Sequence, residues 1–120
     1  NLFWTWAAST AEARALQKAA GTDRVAATWY SDSSFTVDIN ITDGQTHQVA
    51  LYCLDWDSQG RTQTVEVLDA ATGAVLDTRS ITAFTGGRYL VWNVSGQIRL
   101  RATRAAGPNA VLSGLFFDAP

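Results

Sequence analysis

From Phe35 onward, apolar and polar residues alternate. Phe35, Val37, Ile39 and Ile41 are separated by Thr36, Asp38 and Asn40. That spacing sends one set of side chains to a core and the other to water, the signature of a half-buried strand. Asp43-Gly44 closes it with a turn. Val49, Leu51 and Cys53 then interleave with Ala50, Tyr52 and Leu54. Both faces are apolar here, as expected of a central strand. Segments 64–68 and 74–78 flank Asp69-Ala70-Ala71-Thr72-Gly73, which predicts a hairpin whose glycine supplies the positive φ. Leu90, Trp92 and Val94 alternate after Gly86-Gly87, and Ile98, Leu100 and Ala102 after Ser95-Gly96. Gly107-Pro108 turns the chain into a last apolar strand over 110–117.

Only the N-terminal part departs from this rhythm. Ser9-Thr10-Ala11-Glu12 has the form of a capping box, and 11–18 is rich in helix formers before a stop at Gly21. The expected fold is therefore all-β: a two-sheet antiparallel sandwich of jelly-roll type, with one short N-terminal helix. The period-two positions predict a core of Phe35, Val37, Ile39, Val49, Leu51, Cys53, Val65, Val67, Trp92, Ile98, Leu100 and Leu115.

Length and composition narrow the class. The 120 residues amount to one domain, read as spanning 1–120. With no methionine in the chain, the expectation is a domain excised from a larger protein. Net charge is −2 and no Lys/Arg cluster stands out; Arg99, Arg101 and Arg104 alternate with Leu100 and Ala102 as the wet face of a strand. This predicts no nucleic-acid partner. No apolar run reaches membrane-span length, which predicts no membrane partner.

Candidate chemistry is sparse. A single cysteine, Cys53, excludes an internal disulfide, and its strand position predicts a buried, inert thiol. His47, the sole histidine, falls on the flank of the same strand and gives no Cys–His pair. Zinc spacing, a phosphate loop and a nucleophile elbow are all missing. Asp55 and Asp57, the only close pair of acids in a loop, flank Trp56. Set against two acids placed across a sugar ring, the plainer readings are a polar loop tip or a calcium ligand pair, for which the EF-hand pattern is missing. Asn40-Ile41-Thr42 and Asn93-Val94-Ser95 are sequons inside strands and receive no role.

Aromatic residues carry the remaining signal. Five Trp, five Phe and three Tyr exceed what one small core needs, which points to exposed stacking surfaces. Trp92 reads as core. Trp4 and Trp6 read as a cap on the sandwich or as a contact for a neighbouring domain. Trp29-Tyr30 precedes Ser31-Asp32-Ser33-Ser34, and Trp56 enters the loop Asp55-Trp56-Asp57-Ser58-Gln59-Gly60 with no apolar neighbour in the next four residues. An indole offers a flat apolar face to a sugar ring, and neighbouring Asp, Gln or Arg groups bind its hydroxyls.

The stretch Asp23-Arg24-Val25, then Trp29 to Phe35, then Val49 to Trp56, resembles the malectin family of sugar-binding domains. The closing run Asn109-Ala110-Val111 into Leu115-Phe116-Phe117 resembles it too, so that the likeness covers roughly 23–118. The chain is also similar to a domain found at the C-termini of large secreted bacterial proteins. The resemblance implies a galactose-binding-like jelly roll holding a glucose-type sugar at one loop edge, with Tyr30 and Trp56 in the positions of the loop aromatics. Where that family has an adjacent aromatic pair, this chain has Trp56-Asp57.

The reading from sequence is thus a noncatalytic carbohydrate-binding module. It is expected to be extracellular or at the cell surface, appended to other domains, and to take a polysaccharide or oligosaccharide. Trp56 is its expected platform and Tyr30 the partner across the groove. Asp55, Asp57 and Arg88 are the expected hydroxyl binders, followed by Tyr89 and Trp29. No catalytic residue, cofactor or metal is expected; the resemblance leaves room for a structural calcium, with Glu66 and Asp118 as donors. A structural or adhesive spacer and a small glycan-acting enzyme are the competing readings.

Overall fold

A computed structural model describes residues 2–17 and 24–118, the side chains of Leu2 and Asp118 excepted. It contains eleven strands: β1 (Leu2–Thr10), β2 (Leu16–Gln17), β3 (Arg24–Ser31), β4 (Ser34–Asn40), β5 (His47–Cys53), β6 (Thr62–Asp69), β7 (Val75–Thr82), β8 (Arg88–Val94), β9 (Gln97–Ala106), β10 (Ala110–Leu112) and β11 (Gly114–Asp118). They form antiparallel sheets in the orders β4-β9-β6-β7, β11-β5-β8 and β1-β3-β10, with β2 also paired to β3. At Ser113 the chain steps from pairing with β3 to pairing with β5, and the Ser113 amide donates to the Tyr52 carbonyl at 2.9 Å. The second and third sheets are thereby joined side by side.

Burial follows the alternation. Phe35 and Ile39 from β4, Val65 and Val67 from β6, and Ile98 and Leu100 from β9 meet Val49, Leu51 and Cys53 from β5 and Leu90, Trp92 and Val94 from β8 in one core. This is a β-sandwich, closed by apolar side chains from both layers. Of the expected core only Val37 and Leu115 are half-buried, packed against its margin. On the wet face of the first sheet, Asp38 and Glu66 accept from Arg99 and Arg101 at 2.6 and 2.8 Å, so Glu66 is engaged. The side chain of Asp118 lies outside the described residues.

The expected N-terminal helix is not formed: no helix occurs among the described residues. Ser9 and Thr10 end β1, and Thr10 Oγ1 accepts from the Glu12 amide two residues on, at 3.2 Å. Carbonyls that a helix would use internally are taken from a distance. Arg24 donates to the carbonyls of Ala13 and Ala15, at 3.3 and 2.7 Å. Tertiary contacts override a helix propensity worth only tenths of a kcal/mol per residue. Lys18, Gly21 and Asp23, which entered the sequence reading, lie outside the described residues.

β1 pairs with β3 along one side and is interrupted by register shifts between Thr5 and Ala7 and between Ala7 and Thr10. Trp6 is the extra residue of the first bulge.

Candidate functional site

A groove of about 340 Å³ opens where β1 and β3 meet the loops after β5 and β9. Trp4, Trp6 and Tyr30 supply its aromatic surface, and Asp57, Gln59 and Asn109 its polar rim. Trp4 is directly opposite Thr28 in the β1–β3 ladder, so both point to the same face. Tyr30 follows two residues later on β3 and shares it. Trp6, two residues beyond Trp4 and at the bulge, lines the same groove. Trp4 is 57% exposed, and Trp6 and Tyr30 are half-buried: rings held by the fold with surface left to offer.

Arg61 organises the polar rim. Its side chain is only 4% exposed, and Nη1 donates to Asp55 Oδ1 and to Asp57 Oδ1, each at 2.5 Å. Nε donates to Asn109 Oδ1 at 2.8 Å, and the guanidinium carbon stands 5.5 Å from the Trp6 ring centre. A buried cation needs such pairing. Because Arg61 can only donate, Asn109 must present its oxygen to it, leaving the amide Nδ2 as a donor. Asp57 remains exposed, with lone pairs beyond the one Arg61 uses. The rim thus offers an acceptor and a donor beside three rings.

Gly107 makes the approach of the β9–β10 loop possible. Its φ is +80°, and a Cβ there would lie 2.8 Å from Arg61 Cα. Only glycine suits both the left-handed backbone and the close contact.

The residues singled out from sequence do not all converge. Tyr30 and Asp57 meet in this groove. Asp55 corrects an expectation: it is 2% exposed and its carboxylate accepts from Arg61 and from the Gln59 amide, so it braces the loop and offers nothing to a ligand. Trp56 likewise falls outside the groove lining. It is half-buried, with the Arg14 guanidinium 4.1 Å from its ring centre and Arg14 Nη1 donating to its carbonyl at 3.0 Å. One face of that ring is therefore already covered. Trp29, 43% exposed, is paired opposite Phe3 and faces the other side of the sheet from Tyr30. Tyr89 lines a different groove, and Arg88 is exposed at the start of β8 opposite Cys53.

Sequence reasoning missed Trp4, Trp6 and Asn109 as groove residues, and Arg61 altogether. Their i, i+2 spacing put the two tryptophans on one face; what they face depends on loops some fifty and a hundred residues away. Elsewhere, Cys53 is fully buried, its thiol pushed up to about 12 by desolvation, and His47 Nε2 bonds Asp43 Oδ2 at 2.6 Å. Among the described residues no group of acids, His and Cys is placed to hold a metal ion.

No protein-family model matches the chain, and no curated protein does. Two solved structures are similar. TmCBM61, solved in complex with β-1,4-galactotriose, superposes with a TM-score of 0.53 over 81% of this chain and 72% of its own, at 9% identity. A family 35 carbohydrate-binding module from Clostridium thermocellum matches over 96% of both chains at 15% identity, with a TM-score of 0.46. The first likeness supports the sandwich fold.

Proposed function

We propose that this domain is a noncatalytic carbohydrate-binding module of the galactose-binding-like jelly-roll class, which holds an oligosaccharide or a polysaccharide segment in the Trp4–Trp6–Tyr30 groove. The carrying observation is the meeting of three aromatic rings with Asp57, Gln59 and Asn109 in one concave surface. A pyranose presents apolar C–H faces to such rings, while its hydroxyls need both donors and acceptors at the margin. Asp55 and Asp57 share a single guanidinium, an arrangement that fixes a loop and does not set two acids across a glycosidic bond. The malectin-like resemblance also points to Tyr30, which the fold carries near the end of β3. In this reading the module serves a larger secreted or cell-surface protein and brings it to a glycan.

A glycan array of the isolated domain tests the reading, with β-1,4-galactotriose as the first soluble probe, chosen from TmCBM61. Binding that falls at least about tenfold, or about 1.4 kcal/mol, in both Trp4→Ala and Tyr30→Ala supports the groove. An array without any hit leaves the spacer reading in its place.

A further inference from the structure

We infer that the domain has a second ligand groove, on the outer face of the β8–β5–β11 sheet, which takes an acidic saccharide. The cavity is about 720 Å³, the larger of the two, and shares no lining residue with the first. Its aromatic side is a contiguous cluster: Tyr52 and Tyr89 have ring centres 4.6 Å apart, and Phe116 follows at 6.3 Å from Tyr89. Register explains the grouping, because Tyr52 sits opposite Tyr89 on β8, and Phe116 on β11 opposite Ala50 on β5. Tyr52 is the fixed member. It is 5% exposed, its hydroxyl donates to the Arg14 carbonyl, and Gly87 packs so closely that a Cβ there would enter its ring. Tyr89 and Phe116 are 56% and 44% exposed, so ring surface beside Tyr52 is left open to a ligand.

Charge names the ligand class. Arg14 and Arg24 both line this cavity, and among the described residues no acid does. Arg14 is partly compensated by Glu12 at 3.2 Å and is otherwise occupied by the carbonyls of Trp56 and Thr85. Arg24 bonds carbonyls alone through Nη1 and has no carboxylate partner among the described residues. A guanidinium held rigid by backbone oxygens, with donors left over, is preorganised for an anion. Beside a ledge of rings, that anion is one carried on a sugar: a carboxylate or a sulfate ester.

Calorimetric titration of the intact domain with trigalacturonate, a sulfated galacto-oligosaccharide and neutral galactotriose tests the inference. At least one acidic probe should bind, more weakly as salt rises, since about 0.1 M salt screens charges beyond about 10 Å. Which of the two binds identifies carboxylate or sulfate. Tyr89→Ala, on an exposed ring, and Arg24→Gln should each weaken that binding at least tenfold, with partial recovery in Arg24→Lys and no effect of Tyr30→Ala. Failure of both acidic probes overturns the inference. So does acidic-probe binding that survives Tyr89→Ala and Arg24→Gln, or that disappears in Tyr30→Ala. The first groove is judged separately, by neutral glycans and Tyr30→Ala, so either site can fail alone.

Discussion

Trp92 donates its indole N–H to Asp77 Oδ2 at 2.6 Å, tying β8 of one sheet to β7 of the other at the side of the sandwich. Arg79 completes the arrangement, bonding the same oxygen at 3.0 Å and lying 4.6 Å over the indole. A core tryptophan must place its N–H somewhere, and here a surface carboxylate receives it.

That contact sets a pH dependence. The Trp92 hydrogen bond, assisted by Arg79, holds the Asp77 carboxyl below its usual 3.8. A depressed folded-state pKa contributes stability above the unfolded value and loses it as pH falls through the folded one. The wild-type melting temperature should therefore drop further than that of Asp77→Asn between about pH 5 and pH 2.5, and the two curves should run parallel at neutral pH. Parallel curves throughout would show that the contact contributes no charge-dependent stability.

Cys53 should be inert. With its thiol pushed up to about 12 by burial, little thiolate exists at neutral pH. An aromatic disulfide reagent at about pH 8 should leave the native domain unlabelled and modify it fully in denaturant, since the ordinary thiol titrates near 8.5. Rapid native labelling would mean that β5 opens readily.

Two aromatic substitutions should separate binding from folding. Tyr30→Ala should weaken neutral-glycan binding with only a modest change in melting temperature. Trp56→Ala should do the reverse, costing about 1–2 kcal/mol through lost packing and the Arg14 cation–π contact. Chemical denaturation beside a binding titration distinguishes them; glycan affinity lost on Trp56→Ala at unchanged stability would return Trp56 to the site.

Gly107→Ala should harm both properties. A non-glycine residue at φ +80° costs on the order of 1–3 kcal/mol, and the added Cβ meets Arg61 Cα. Arg61 holds Asp57 and Asn109 in place, so glycan affinity should fall along with the melting temperature. A variant of wild-type stability would show that the loop has room to yield.

How much of this was legible in sequence depended on the range of the interactions. Alternation is local, and it placed Phe35, Ile39, Val49, Leu51, Val65, Trp92 and Leu100 in the core. The helix over 11–18 was misread because the carbonyls of Ala13 and Ala15 are claimed by Arg24, a contact that no local pattern encodes. Trp56 looked exposed among polar neighbours, yet its cover comes from Arg14, 42 residues earlier. Asp55 looked available for the same reason until Arg61 was seen to bury it. Tyr30 and Asp57 were singled out by their place beside polar loops, and Tyr30 also by the malectin-like resemblance; that they line one groove with Trp4 and Trp6 depends on strand pairing and loops distant in sequence.

The bulge at Trp6 has one more effect. β1 ends its sheet, and an edge strand with a straight run of unpaired amides and carbonyls invites a second chain to add to it. Two breaks in register leave β1 no long straight segment to copy. At high local concentration two copies would meet edge to edge, and the irregularity at Trp6 gives a second chain no regular ladder to extend.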